Sequence, residues 1–280
     1  MELRRAWYHC SSCGRGFAPR DRELGLDGGT LSPAVRRMVG RRGKQADGTA
    51  RTREAKLVAV WTAESRDREG RPCRDPGSTS CNAAIESIAT RDTDTAPAPF
   101  AARVLRELER RGVARAERRV VLGDGAAWIW NFADEHLPDA VQIVDLFHAK
   151  QHVFDAAKAI CGDGDLAARW GKARRDELDE AGAAPVVDAL REHAARDDVR
   201  RELEYFAGNL GRMNYPAFRA RGLCVTTGVV EGGCKSVVGD RLKRGGMHWS
   251  VDGGNAIIAL RCAIRSDRFD DYWERRASSS

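Results

Sequence analysis

No apolar run in this 280-residue chain approaches the ~18 residues a membrane-crossing helix needs, which excludes a membrane bundle. The opening stretch Met1-Glu-Leu-Arg-Arg-Ala-Trp-Tyr-His-Cys10 holds no hydrophobic secretion signal, so the expected address is the cytoplasm. Internal repeats and low-complexity tracts are missing too, and with 42% hydrophobic and 31% charged residues the composition fits neither collagen nor a disordered tail. The chain reads as soluble and globular. Charge of one sign does not dominate: 47 Lys and Arg against 41 Asp and Glu leave a net +6, which permits a polyanionic partner without requiring one. Eight cysteines are present but scattered, and in a reducing compartment that spacing predicts buried thiols rather than disulfides. Only Cys10 and Cys13 stand at metal-ligand spacing, and one such pair supplies two of the four ligands a structural zinc requires.

What is there divides the chain unevenly. Residues 36–56 carry Arg36, Arg37, Arg41, Arg42, Lys44, Arg51, Arg53 and Lys56 among glycines, the pattern of a flexible basic loop. Lys56 to Thr62 reads as a strand, and the Gly- and Pro-punctuated stretch Arg66 to Ser80 as a turn or excursion. Pro97 and Pro99 open a helix reaching about Arg111, stopped by Gly112. A strand at Val120 to Leu122, a helix from Ala126 to Glu135, a strand at Val141 to Val144 and a helix near His148 then alternate as a parallel pair in an α/β sheet does. Residues 165–221 are a helical block, in which Val199, Leu203, Phe206, Leu210 and Met213 step along one helix face. Ile257, Leu260 and Ile264 mark a closing helix.

The sharpest chemical signal is Asp124, delivered between two glycines at the carboxyl end of a strand, where α/β sheets bind ligands, with Glu231 far downstream on a helix. Two carboxylates with little else ready to act as a nucleophile suit hard cations and two-metal phosphoryl transfer, in which paired ions stabilise attacking and leaving oxygens. The competing reading makes Gly123-Asp124-Gly125 a turn whose Asp caps the next helix through backbone amides. His148 and His152 lie four apart on one helix face. They could bind zinc, but the segment lacks the Glu of a zinc peptidase, and a structural or ligand-orienting role is the reading taken. Lys235 follows Glu231 by one turn, where an ammonium can meet a phosphate, or simply face solvent. Arg241, Lys243 and Arg244, with Lys44 in the basic loop, would track a phosphate backbone, unless they form an ordinary charged face. Trp128, Trp130, Trp249 and Trp273 are of a type found more often in packing than in base stacking, and the sequence alone does not choose between the two.

Six blocks in order, Gly123-Asp-Gly-Ala-Ala-Trp-Ile-Trp-Asn131, Ala133-Asp-Glu-His136, Val141-Gln-Ile-Val-Asp-Leu-Phe-His148, Gly228-Val-Val-Glu-Gly-Gly-Cys-Lys235, Arg241-Leu-Lys-Arg-Gly-Gly-Met247 and Asn255-Ala-Ile-Ile-Ala-Leu-Arg261, resemble ISKra-type insertion-sequence transposases. The resemblance covers residues 40–276, and the first 39 more weakly. It implies an α/β, ribonuclease-H-like core with an all-helical insertion before the final Glu. It also implies an Asp-Asp-Glu site for two Mg²⁺ ions in which Asp124 matches the second Asp and Glu231 the Glu. Asp145 and His148 resemble the Asp-x-x-His that mutator-like transposases carry after the second Asp. The implied organisation is a remnant of an N-terminal zinc-ribbon and helical region at 1–39, the first part of the catalytic domain at 40–164, the helical insertion at 165–221, and the rest of the catalytic domain at 222–280.

The chain departs from the family pattern in two places. The first catalytic Asp and its strand are expected before the basic loop Gly40 to Asp47, yet here that loop follows directly on Arg36-Arg-Met-Val39, which points to an internal deletion near Val39. Asp47-Gly48-Thr49 imitates the lost motif but belongs to the loop and is not given the role. The CxxC partner expected ahead of Cys10 and Cys13 is also missing from the sequence, so zinc is not expected there. The reading is a transposase that joins a freed 3′-hydroxyl to target DNA, left inactive by the lost carboxylate. Its partners would be transposon ends and target DNA, a second copy of itself and no membrane, with the nucleoid as its place when DNA-bound. The alternative is a non-catalytic DNA-binding or transposase-interacting remnant. Loss of the opening strand is expected to leave Val120 to Leu122, or its neighbour, on an exposed edge.

Overall fold

The structure is a computed structural model that describes residues 8–9, 16–17, 54–88, 96–226, 228–243, 249–271 and 274. The molecule is mixed α/β and predominantly helical. Strands β1 (Tyr8–His9) and β2 (Gly16–Phe17) pair antiparallel, with Tyr8 opposite Phe17, and bracket the segment carrying Cys10 and Cys13, which lie outside the described residues. Then come β3 (Lys56–Val60) and β4 (Ser80–Ala84), α1 (Pro99–Arg110), β5 (Val120–Gly123), α2 (Ala127–His136), β6 (Val141–Val144) and α3 (Leu146–Cys161). The helical block follows as α4 (Asp165–Ala181), α5 (Ala184–Arg191), α6 (Asp197–Gly208) and α7 (Tyr215–Ala220). α8 (Gly228–Gly233), a π-helical turn over Cys234–Gly239, α9 (Asp240–Leu242) and α10 (Val251–Arg265) complete the chain. No described helix is long and apolar enough to cross a membrane.

The chain forms two compact units, and the larger holds residues 59–80 and 87–232. Within it β5 and β6 run parallel in a two-stranded sheet, in register from Val120 opposite Val141 to Gly123 opposite Val144, as the alternation predicts. Ile143 and Val144 are fully buried and meet a core supplied by α3 to α7 and the turn before α7, including Val153, Leu178, Leu190, Phe206 and Met213. The helical block therefore shares one core with the parallel pair. α1 begins with Pro99 in its first turn, as expected, and buries Phe100, Ala101, Val104 and Glu107 along one stripe. The excursion at 66–80 is a set of turns in which Asp75 accepts the backbone N–H groups of Glu64 and Ser65 at 3.3 and 2.7 Å.

One expectation fails in the block. The apolar steps from Val199 to Met213 do not share a helix, because α6 ends at Gly208 and a short 3₁₀ turn over Leu210–Arg212 follows. The cause is Asn209, whose side chain donates to the Tyr205 carbonyl at 3.0 Å and accepts the Trp130 indole N–H at 3.0 Å, in competition with the helical ladder. Leu210 is left 43% exposed while Met213 is buried beyond the turn.

The smaller unit holds residues 1–58, 81–86 and 233–280. β4 buries Cys81, Ala83 and Ala84, and it is tied to the end of α10 by Ser266, whose hydroxyl accepts the Cys81 N–H at 2.9 Å. Asn255 of α10 likewise accepts the Ile85 N–H at 2.7 Å. α10 exists where the sequence predicts it, capped by Ser250, and the residues it buries include Gly254, Ile258 and Cys262. Gly254 sets which side of the helix packs: a Cβ there would stand 3.1 Å from Ile85 Cδ1, so the glycine face lies flush against β4's end and Ile264 turns 58% exposed. Of the six described cysteines, all free thiols, Cys81 and Cys262 are buried as expected and Cys234 is exposed.

Candidate functional site

The parallel pair ends where its two following residues diverge in purpose. Asp124, next after β5, is exposed, and its Oδ1 accepts the Ala126 N–H at 3.0 Å. That bond closes a turn ahead of α2 without capping the helix itself, whose N-cap is Ala126. Gly125 makes the turn possible: its φ is +100°, and a Cβ there would sit 2.5 Å from Cε2 of Tyr205. Asp145, next after β6, is buried, its backbone N–H donates to the Gly123 carbonyl at 2.7 Å, and its Oδ1 accepts the His148 N–H at 3.0 Å. It is the N-cap of α3. The Asp-x-x-His spacing thus has a local cause, a carboxylate satisfying the amide three residues on.

One turn along α3, His152 faces His148 with their Nε2 atoms 3.3 Å apart. The Nδ1 of His152 meets Glu202 Oε2 of α6 at 2.7 Å, and the Tyr205 ring stacks on His152 with centroids 3.7 Å apart. The Tyr205 hydroxyl donates to the Asp124 carbonyl at 3.0 Å. Asp124, Asp145, His148, His152, Glu202 and Tyr205 therefore form one cluster where α3 and α6 meet the end of β5. Burial pushes the His148 imidazole below its ordinary pKa, helped by His152, while Asp124 and Asp145 pull the other way. Burial pushes the Tyr205 phenol up, reinforced by the charges of Asp124, Glu202 and Asp145.

No family model, curated protein or solved structure matches the chain.

The remaining expected site residues are distributed as follows. Glu231 lies in α8, and its side chain is outside the described residues, as are Cys10, Cys13, Lys44 and Arg244. Its expected convergence with Asp124 is likewise outside them. Lys235 is exposed in the π-helical turn, an irregularity found frequently at functional sites. Lys243 is exposed, and the Arg241 guanidinium lies 5.9 Å from the centre of the Trp249 ring. Trp130 is buried on Asn209 and Trp128 meets Phe100 edge to face, so these two take packing positions. Among the described residues no group of three or more His, Cys, Asp or Glu side chains converges to hold a metal ion.

Sequence reasoning missed Glu202 and Tyr205. Their only trace in the chain is a polar and an aromatic residue three apart, flanking the apolar positions Leu203 and Phe206 of α6. Nothing in that spacing names His152 or Asp124 as the partner.

Proposed function

We propose that the chain is a transposase-family protein with a ribonuclease-H-like core, descended from enzymes that cut and join DNA by metal-dependent phosphoryl transfer and lacking the first catalytic Asp. One observation carries the reading: β5 and β6 run parallel and end together, with Asp124 exposed at the carboxyl end of β5 and Asp145 heading the next helix. The order of elements supports it, since the helical block and then α8 with Glu231 follow as the resemblance implies.

The donor chemistry at Asp124 fits a hard cation: an exposed carboxylate, one oxygen of which already accepts a single backbone N–H. Asp124 and Glu231 would hold Mg²⁺, which when bound stabilises the attacking and leaving oxygens of a phosphoryl transfer. The chain's own work is to present those carboxylates and the DNA. The Ala126 amide and the Tyr205 hydroxyl hold the Asp124 loop in one conformation. Lys235, Arg241, Lys243 and, in sequence terms, Lys44 and Arg244 would neutralise phosphates and fix the register of the strand. With two of three carboxylates, the site lacks the negative charge and bridging ligand that hold a pair of ions in line.

The test is an assay with purified protein, the DNA that flanks its coding region, a scrambled duplex and Mg²⁺. Binding to the flanking DNA without cleavage or joining is the expected result. Cleavage lost in Glu231→Ala overturns the inactivity and keeps the family reading, whereas no binding to either duplex overturns the family reading.

A further inference from the structure

The His148 and His152 pair goes beyond that reading. Two imidazoles four apart on a helix can point in many directions, yet here both Nε2 atoms approach to 3.3 Å. Two imidazole nitrogens bound at about 2.0–2.1 Å to one tetrahedral zinc stand about 3.3–3.4 Å apart, so the rings already hold the spacing of two ligands. The geometry behind them agrees. Glu202 holds Nδ1 of His152 at 2.7 Å, the carboxylate partner that metal-bound histidines carry, which puts the Nδ1 proton toward the carboxylate and leaves the Nε2 lone pair free for an ion. Tyr205, stacked at 3.7 Å and 20°, prevents that ring from turning away. Both histidines are half-buried, so an ion can reach them, and the carboxylates whose charge acts on the pair, Asp124, Asp145, Asp155 and Glu202, favour a cation over an empty contact.

We propose that His148 and His152 form a binding site for a divalent transition ion of the zinc class, with Glu202 orienting the ligand ring and two positions left to water or a bound donor. Two protein ligands are one fewer than the three an open zinc site holds, so the site is a weak, exchangeable one in which water or a bound donor completes the coordination. Imidazole nitrogen selects such ions over Mg²⁺, so although Asp124 lies beside the pair, the proposal does not depend on its role in phosphoryl transfer. The rival is a direct hydrogen bond between the rings, one Nε2–H donating to the other Nε2, with no ion taken up.

Cobalt distinguishes them. The full chain carrying Cys10→Ser and Cys13→Ser is titrated with Co²⁺ and followed by visible absorption. A saturable 1:1 signal without a thiolate-to-cobalt band is expected, displaced by Zn²⁺ and untouched by excess Mg²⁺. Glu202→Gln should weaken the affinity about 10- to 100-fold, and His148→Asn or His152→Asn should abolish saturable binding, with circular dichroism reporting the fold. If a histidine variant does not fold, the imidazole ¹⁵N resonances of the unsubstituted rings decide: Zn²⁺ should shift the Nε2 signals of both. Absence of saturation, unchanged affinity in folded His152→Asn, displacement by Mg²⁺, or unmoved Nε2 signals overturn the site.

Discussion

Two tyrosines show how burial alone fails to predict what a hydroxyl contributes. Tyr205 donates to the Asp124 carbonyl at 3.0 Å, whereas the hydroxyl of fully buried Tyr215 has no hydrogen-bond partner among the described residues. The same Tyr→Phe change should therefore act in opposite directions. Tyr205→Phe is expected to cost about 0.5–1.5 kcal/mol, and Tyr215→Phe to be neutral or to stabilise by about 1 kcal/mol, in urea unfolding monitored by tryptophan fluorescence. Gly125→Ala should cost more than Tyr205→Phe, because the added methyl meets the Tyr205 ring at a backbone angle that disfavours any side chain. Asp124 was legible in the sequence because a strand ending in Gly-Asp-Gly is a local pattern. Tyr205 was not, because its hydroxyl acts on a carbonyl 81 residues away and leaves no local mark.

At the level of elements, one carboxylate ties two helices of the block to the helix before it. Asp179 of α4 pairs with Lys150 of α3 and accepts from Arg219 of α7 at 2.7 Å, while Arg219 also donates to the Asp179 carbonyl at 3.1 Å. Burial acts to raise the Asp179 carboxyl, but the hydrogen bonds and charges of Lys150 and Arg219 outweigh it and hold the pKa below its ordinary 3.8. A depressed carboxyl contributes stability that is present above the unfolded value and lost as pH falls through the folded one. Asp179→Asn should therefore lower stability near neutrality by about 1–3 kcal/mol, and its deficit against the unaltered chain should shrink below pH ~3.8, as seen by urea midpoints across a pH series. Asp145→Ala, which removes the N-cap of α3, should cost about 1 kcal/mol by the same measurement. The helices themselves were readable from apolar period and from Pro99 and Gly112. The break after Gly208 was not, since the apolar steps run on through it and the Asn209–Trp130 bond that competes with the helical ladder joins residues 79 apart in the chain.

For the molecule as a whole, the modest net charge of +6 matters through where it is gathered rather than through its size. Lys235 and Lys243 are both exposed in the smaller unit. If they track phosphates, Lys235→Glu with Lys243→Glu should weaken binding of any duplex and reduce the slope of log affinity against log salt by about 1 per lysine, measured by fluorescence anisotropy. An unchanged slope would assign both lysines to an ordinary solvated face. The division into compact units cuts across the chain: residues 81–86 belong with the C-terminal part, while the helical block at 165–221 packs into the same core as β5 and β6. The amino-acid sequence by itself determined the parallel β5–α2–β6 unit, the helical block and the placing of Asp124 at a strand end, because each follows from periodicity and turn chemistry within a few neighbouring residues. Only the tertiary structure decided that α6 brings Glu202 and Tyr205 onto His152 and Asp124, and that the two imidazoles meet at their Nε2 atoms. Such contacts depend on the angle at which helices pack on a shared core, and helix packing is set by many side chains at once rather than by any one stretch of chain.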